Sequence, residues 1–354
     1  MTDPAVGVAA NGLGADSAPR EGEGAVDGLI EVPVAVPVEV APKGKGPVQG
    51  LEQALLEERV APPPRRLRVL GQMPELKPDT PMQKVVLPGL VELTLGNVVV
   101  PGRFDPHRIA GFVMRLEDVP PSSSSELIRR FGLTEKAGWP ATDELYVLRF
   151  YAHSPQLYIA PFERSVYQVD LIELPAGTEL WRIDAQGGEQ RMGAYLNRQV
   201  GWVSIGPAIL GPGCWNRPPV PLRPTVRRGL VAHYRGVNFD ADFGPRPGEV
   251  TLHPLPGKPP PEEFIDQTGA YTLSVMICEL DSLDLVRWRG GWHGLPVELV
   301  ESGPEHTVIH YIGENGPRAA ELGLAEVDYR VWRGSVPRSD LADVAEQRVA
   351  LRSR

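Results

Sequence analysis

The sequence predicts a mainly β protein with few short helices, arranged as two small twisted-sheet or barrel-like modules behind a disordered N-terminal tail. Three observations support this prediction. The chain has 354 residues, a length that suggests about two domains. Every Trp, Tyr and Phe follows residue 103, so the later part of the chain holds the large aromatic side chains. That part alternates short apolar runs with Gly- and Pro-rich turns, which favours a β fold over an α/β fold.

Residues 1–79 form the predicted tail. Up to residue 47 it consists largely of Ala, Gly, Pro, Val, Asp and Glu, which cannot bury enough apolar surface to offset the entropy of ordering. Residues 48–60 differ, because Leu51 and Leu55 lie on one face of a predicted helix that follows Gly50 and stops at a triple proline. This helix either docks onto a partner or merely fluctuates, since about three helical turns are marginal in water.

The first predicted β-rich module spans residues 80–205. It begins with strands at 85–95 and 98–100, joined by a turn at Gly96-Asn97, and one short helix follows at 126–131 with Ser125 as its N-cap. A hairpin is expected around Gly187-Gly188, because this pair supplies the positive φ of a tight turn. The later strands of this module are predicted at 144–152, 156–161, 166–173, 179–184, 190–196 and 201–205.

A Gly- and Pro-rich linker at 206–224 leads to the second predicted module at 225–345. This module contains three aromatic-Arg-Gly triplets, which begin at Tyr234, Trp288 and Trp332. The first two are expected to follow strands, and the third appears near the end of the module. One helix is predicted from Pro317 to the stop at Gly323. Residues 340–354 suggest a further helix.

The triplets allow two interpretations. An Arg beside an exposed Trp or Tyr is common in protein-recognition surfaces. Alternatively, the aromatic ring packs inward, the Arg faces solvent and the Gly permits a tight turn or a bulge. Together with the tail helix, the first interpretation gives the candidate partner-binding residues Leu51, Leu55, Tyr234, Arg235, Trp288, Arg289, Trp332 and Arg333.

The sequence predicts no catalytic residue, cofactor or metal. His306 and His310 flank a strand-like run and would lie about 13 Å apart, too far to share an ion. Asp240 and Asp242 could serve as paired carboxylates, but strand alternation predicts that they face solvent while the Phe and Ala residues between them are buried. Cys214 has no neighbouring base that would activate its thiol, and no nucleophile elbow or phosphate loop is present.

Charge and cysteine content indicate the class of partner and the cellular compartment. The net charge of −9 argues against a nucleic-acid partner, because phosphate binding requires a basic patch. Two cysteines, Cys214 and Cys278, fit a reducing compartment. The start Met1-Thr2-Asp3-Pro4 does not resemble a secretory signal, and no apolar run is long enough to span a membrane. The expected location is therefore the cytoplasm, although export without a signal stays open.

An enzymatic alternative rests on arginines beside aromatic residues on strands. Arg149-Phe150 and Trp181-Arg182 are similar to the first strand of ADP-ribosyltransferase-like folds, although the Ser-containing strand and paired acidic turn of those folds are not found. This similarity implies a nucleotide-processing cleft within 140–205, with Arg149, Arg182 and Tyr158 as the residues to mutate.

Seven segments of the second module carry a resemblance to a known group of proteins. They are Val231 to Val237, Glu249 to His253, Trp288 to Gly290, Leu295 to Glu298, His310 to Gly313, Leu322 to Leu324 and Val336 to Leu341. In these segments the module resembles actinobacterial proteins that are encoded beside secreted polymorphic toxins and are suspected to act as immunity or accessory factors. This resemblance covers about a third of the chain and carries no catalytic residue. Gly334 to Pro337 also resembles the closing strand of SH3-like barrels.

These observations together predict a non-enzymatic protein-binding factor, immunity-like or associated with secretion. Its acidic balance predicts a basic protein partner, because complementary charge accelerates encounter. A structural component of a larger assembly is the second alternative after the enzyme. The sequence leaves the oligomeric state open.

Overall fold

A computed structural model describes residues 76–119, 122–131, 133, 144–159, 166–205, 228–255, 259–267 and 270–352. All of them belong to one compact unit, Arg66–Arg354. The predicted tail lies outside the described residues except for its last four, and the helix at 48–60 with Leu51 and Leu55 lies outside them as well. The predicted linker at 206–224 and Cys214 are also outside the described residues.

The first sheet is antiparallel and has eight strands in the order β4-β5-β2-β1-β3-β6-β7-β8. The predicted strand at 166–173 and the hairpin around Gly187 are confirmed, and Gly187 takes a φ of 87°. The strands are β1 (Pro81–Val86), β2 (Arg108–Arg115), β3 (Glu144–Tyr151), β4 (Tyr158–Ile159), β5 (Val166–Glu173), β6 (Glu179–Asp184), β7 (Glu189–Asn197) and β8 (Gly201–Ser204).

The prediction of strands at 85–95 and 98–100 is wrong. Strand β1 ends at Val86, a 3-10 turn covers Pro88–Leu90, and a short helix, α1, follows at Val91–Leu95. Val91, Thr94 and Leu95 are buried, and their spacing of three and four residues is that of one helical face. Val100 makes only an isolated bridge to Phe104. The apolar residues from Val85 to Leu95 suit either a strand or a helix, and Pro88-Gly89 ends the strand early.

The predicted helix in the serine-rich segment is present but begins earlier. Helix α2 spans Ser124–Arg130, and the side chain of Ser123 caps it by accepting a hydrogen bond from the Glu126 N–H at 3.4 Å. Ser124, Leu127 and Ile128 are buried, so the helix face that packs inward includes Ser124. Because of this packing Ser123, rather than the predicted Ser125, takes the N-cap position.

The second sheet is also antiparallel and has the path β12-β13-β11-β10-β9-β14-β15-β16-β18-β17, with β19 paired to β14. Its strands are β9 (Gly229–Tyr234), β10 (Val237–Phe243), β11 (Glu249–His253), β12 (Ile265–Gln267), β13 (Ala270–Met276), β14 (Ser282–Trp292), β15 (Leu295–Ser302), β16 (His306–Tyr311), β17 (Ala325–Asp328), β18 (Val331–Pro337) and β19 (Leu341–Arg352). The predicted helix near Pro317 is present as α3 (Gly316–Glu321), capped by the Asn315 side chain.

The prediction of a helix at 340–354 is wrong, because Leu341–Arg352 is strand β19. This segment is rich in Ala, Glu, Gln and Arg, which favour helices in isolation. It instead pairs with β14 from Leu283 to Trp292, with two register irregularities. The hydrogen bonds available along a long neighbouring strand therefore outweigh local propensity.

The two sheets share one hydrophobic core. Met82, Val113 and Trp202 of the first sheet belong to the same buried cluster as Phe239 and Leu252 of the second. Gly111 of β2 permits the close approach of β18. It has a φ of 92°, and a Cβ atom there would lie 2.8 Å from Val331 Cγ2. The protein is therefore a mainly β structure in which two antiparallel sheets pack together.

Candidate functional site

A row of charged and polar side chains crosses four neighbouring strands of the second sheet. Arg289 on β14 lies opposite Glu298 on β15, Glu298 opposite His310 on β16, and His310 opposite Arg333 on β18. Directly opposed residues share one face of a sheet. Glu298, His310 and Arg333 are buried, and Arg289 reaches Asp170 of the first sheet at 3.4 Å. The row therefore faces the first sheet rather than solvent.

Ion pairs join the two sheets along this contact zone, which we call the seam. Each has one partner in each half of the described structure and a nitrogen–oxygen distance of at most 4.0 Å. The pairs are Lys84–Asp328 (2.6 Å), Arg198–Asp242 (2.7 Å), Arg287–Asp170 (3.0 Å), Arg289–Asp170 (3.4 Å) and Arg108–Glu301 (4.0 Å).

Asp242, which belongs to the seam, departs from the alternation of buried and exposed residues predicted for its strand. Phe239, Ala241 and Phe243 are buried as predicted, but the prediction that Asp242 faces solvent is wrong, since its exposure is 0%. The Arg198 backbone N–H and Nε donate to its two oxygens, and His253 Nε2 lies 2.8 Å away. Burial alone would raise the pKa of Asp242, but Arg198 and His253 hold that pKa well below its usual range. Asp242 is a buried anion with two partners.

Glu298 lies at the centre of a second cluster. Arg228 Nη2 is 2.6 Å from its Oε1, while the Nε atoms of Arg287 and Arg289 are 3.8 and 3.9 Å from Oε2. Burial raises the pKa of Glu298 despite the three guanidinium groups. The same burial, together with Arg333 and Arg228, lowers the pKa of His310 well below its usual value. The arrangement keeps cations close together in the interior, where they require compensating anions.

A cavity of about 70 Å³ opens into one end of the seam, and we call it the seam cavity. Its walls come from both sheets, namely from β1 and the turn after it, the start of β2, Trp202 of β8, and β17 and β18. Apolar side chains form most of the lining. The charged lining residues are Lys84, Arg103, Asp105, Arg108, Asp328 and Arg333.

Arg333 differs from the other buried cations of the cavity. Lys84 pairs with Asp328, and Arg108 pairs with Asp105. The Arg333 side chain makes no hydrogen bond or ion pair with any described residue, and its buried Nε has no partner. Burial lowers the pKa of Arg333 to about 10, with Asp105 opposing this shift and Arg108 and Arg228 adding to it. The guanidinium is thus incompletely compensated by its own protein.

The structure places the three triplets in different settings. Tyr234-Arg235-Gly236 forms the tight turn between β9 and β10, with φ values of 49° and 80° at Arg235 and Gly236. The Tyr234 ring is buried, while the exposed Arg235 covers it at 4.8 Å and pairs with Glu263. The prediction that the Trp288 triplet follows a strand is wrong, because this triplet lies within a strand, as does the one at Trp332.

The triplet at Trp288 lies inside β14, and the one at Trp332 lies inside β18. A register irregularity between Arg289 and Gly291 matches the bulge that the Gly permits. Arg289 and Arg333 face the first sheet, so the expectation that they point to solvent is wrong. Strands β15 and β16 separate Trp288 from Trp332, so the triplets do not form one continuous surface.

The residues proposed for a nucleotide-processing cleft do not converge. Arg149 on β3 pairs with Glu189, lies over the Trp181 ring at 4.9 Å and donates a hydrogen bond to Gln83. Its guanidinium is therefore already engaged by neighbouring side chains. Arg182 on β6 pairs with Glu144. Tyr158 lies on β4, which three strands separate from β3. Each arginine therefore serves a structural ion pair on the first sheet.

The described residues include no group of three or more His, Cys, Asp or Glu side chains arranged to hold a metal. Of the two histidines considered, His306 is exposed and His310 is buried in the charged row. Cys278 is exposed and carries a free thiol. None of the described helices is long and apolar enough to span a membrane.

Strand β19 is the most exposed regular element that the structure describes. Its residues from Ala342 to Ala350 are all exposed, including Val344 and Val349 at 39% each. Within the described part of the chain, β14 is its only strand neighbour. No described strand pairs with its other edge, which we call the open edge. An open edge presents backbone donors and acceptors at the spacing of a further strand.

Sequence reasoning missed Lys84, Asp105, Arg108 and Asp242 as parts of an interior charged site. A signal was present, because Gln83 and Lys84 interrupt an apolar run and Asp105 and Arg108 flank a proline and a histidine. Comparison with family models, with curated proteins and with solved structures finds no match for this chain.

Proposed function

We propose that this protein is a non-enzymatic protein-binding factor that pairs an extended segment of a basic partner with the open edge of β19. The observation that carries this proposal is the strand itself, which has twelve residues, one described strand neighbour and nine exposed residues. A partner strand that added to this edge would gain main-chain hydrogen bonds over much of that length.

Side chains on β19 would supply specificity to such pairing. Val344 and Val349 are five residues apart and therefore point to opposite faces of the strand. Each would contact a residue of the added strand directly across from it, where apolar and β-branched pairs are favourable. The strand thus offers one valine on each face, and Glu346 and Arg348 share the face of Val344.

Charge indicates the chemistry of the partner. The charges of strand β19 itself balance, with Asp343 and Glu346 against Arg348 and Arg352. The whole chain carries a net charge of −9, so a partner of opposite charge would be attracted during encounter. The resemblance to immunity or accessory factors encoded beside secreted toxins supports the same class of activity, since such factors bind another protein.

Selection from a phage-displayed library of random 12-residue peptides on the full chain tests this function. We expect the selected peptides to be rich in Lys and Arg, to alternate with Val, Ile or Thr, and to bind more weakly as salt increases. The double variant V344K/V349K should weaken binding at least tenfold, because lysines on an edge strand disfavour a further strand.

Val237→Lys is the matched control, because Val237 is exposed beside the β9–β10 turn and is not part of β19. It should leave peptide binding unchanged. Selection of no binding peptide, or equal binding by V344K/V349K and the unmodified protein, would refute the proposal. A dimer in solution that V344K/V349K dissociates would also refute it, because a second copy of the chain would then cover the edge.

A further inference from the structure

The seam cavity has the size of a small-molecule site. About 10–15 Å³ of such space holds one water molecule, so about 70 Å³ has room for roughly five to seven non-hydrogen atoms. Residues of both sheets form the wall, with Lys84 and Ile109 from the first and Asp328 and Arg333 from the second. A ligand in this cavity would contact both sheets at once.

The charge of the cavity lining is opposite to that of the chain. Four cationic side chains and two carboxylates line it, so the lining carries two more positive charges than negative ones. Lys84 and Arg108 already have carboxylate partners in Asp328 and Asp105. The surplus belongs to Arg333 in the interior and to the exposed Arg103. A protein with a net charge of −9 therefore encloses a positively charged cavity.

Arg333 supplies the second, independent indication of a ligand. Its side chain is buried, with 6% of the residue exposed, and lines the cavity without a described hydrogen-bond partner. A guanidinium has five N–H donors in a planar fork that matches the two oxygens of a carboxylate. A bound carboxylate would satisfy these donors with charge-assisted hydrogen bonds, which are among the strongest in proteins.

The apolar part of the lining distinguishes between classes of anion. Ile109, Leu148, Leu174 and Val331 lie on the wall, and most of the remaining lining residues are apolar. Phosphate or sulfate would place oxygens against these side chains without hydrogen-bond donors, which is costly. A carboxylate with a short aliphatic chain would instead contact them with its methylene and methyl groups.

We propose that the seam cavity binds a small aliphatic monocarboxylate, with its carboxylate group paired to Arg333 and its aliphatic chain packed against Ile109 and Leu174. This inference is independent of the proposed protein-binding function, because the cavity and strand β19 share no residue. The carboxylate completes the ion pairing of Arg333 and stabilises the contact between the two sheets.

Binding of sodium propionate to the full chain tests this inference, with propionamide as the uncharged compound of the same size. A ligand this small binds at best in the micromolar range, so titration calorimetry and thermal unfolding should extend to about 20 mM at constant ionic strength. We expect propionate at about tenfold its Kd to raise Tm by about 3 °C. Propionamide should bind at least tenfold more weakly, because it cannot pair with the guanidinium charge.

Variants locate the site. Arg333→Gln should abolish the Tm shift, whereas Arg338→Gln, the same change at an exposed arginine outside the cavity, should retain it. If Arg333→Gln does not fold, Arg333→Lys should fold and bind propionate less tightly, since an ammonium lacks the planar fork.

Three results would overturn the inference. Equal effects of propionate and propionamide would show that charge is not recognised. Loss of binding in Arg338→Gln to the same degree as in Arg333→Gln would place the effect outside the cavity. Binding of phosphate in preference to propionate would assign the cavity to inorganic anions such as phosphate and would exclude the monocarboxylate.

Discussion

We expect His153 to make the stability of the protein sensitive to acid. It follows β3 and stacks on Phe243 of the second sheet, with ring centroids 5.3 Å apart and an interplanar angle of 2°. Both ring nitrogens are buried and have no hydrogen-bond partner. Burial therefore lowers the pKa of His153 to about 4 from its ordinary value of 6.5. The buried site therefore favours the neutral imidazole over the protonated one.

The sign of the pH effect follows from proton binding. Between pH 6.5 and about 4 the unfolded chain binds a proton at this histidine and the folded chain does not, so stability falls as pH decreases. A shift of about 2.5 pKa units corresponds to about 3 kcal/mol of unfolding free energy lost by pH 4. His107 and His310 also have lowered pKa values and should add to the loss in the unmodified protein.

His153→Phe keeps the aromatic stack and removes the titrating group. We expect its unfolding free energy at pH 7 to equal or exceed that of the unmodified protein, because a buried imidazole without partners is replaced by a hydrocarbon ring. At pH 4.5 the variant should be more stable by about 2 kcal/mol. Urea denaturation at pH 7.0, 5.5 and 4.5 measures both differences.

His306→Leu is the matched control, since this histidine is exposed at the start of β16. Its stability profile should run parallel to that of the unmodified protein. A parallel profile for His153→Phe as well would refute the reasoning, because it would mean that His153 binds protons equally in the folded and unfolded chains.

Two further predictions concern the contact between the sheets. Asp242→Ala should lower the unfolding free energy by about 3–5 kcal/mol, because it removes the buried anion that compensates Arg198. The same change at the exposed Asp79 should alter the unfolding free energy by less than about 0.5 kcal/mol. Gly111→Ala should cost more than Gly236→Ala in denaturant unfolding, since both have positive φ but only at Gly111 would the new Cβ meet a neighbouring side chain, at 2.8 Å. Equal losses in either comparison would contradict the corresponding argument.

Local patterns predicted individual strands well where the pattern was short and ended by clear turn residues. The strand at 166–173 and the hairpin at Gly187 were found because alternation and turn chemistry act on adjacent residues. Prediction failed at 85–95, where an apolar run suited both strand and helix, and at 340–354, where pairing with β14 overrode helix propensity. The β-rich class is confirmed, whereas protein binding, immunity-like activity and the SH3-like comparison stay predictions.

The sequence by itself determined the β-rich class, the turn at Gly187 and the apolar positions of β10, since these depend on neighbours along the chain. Only the tertiary structure decided that Asp242 and Arg333 are interior residues. Strand β10 alternates polar and apolar side chains in the manner of a sheet with one face in water. At Asp242 the polar face is instead covered by the other sheet, and the compensating charge comes from Arg198, a residue far away in sequence. Strand alternation separates the two faces of a sheet, but what covers each face depends on how the whole chain packs.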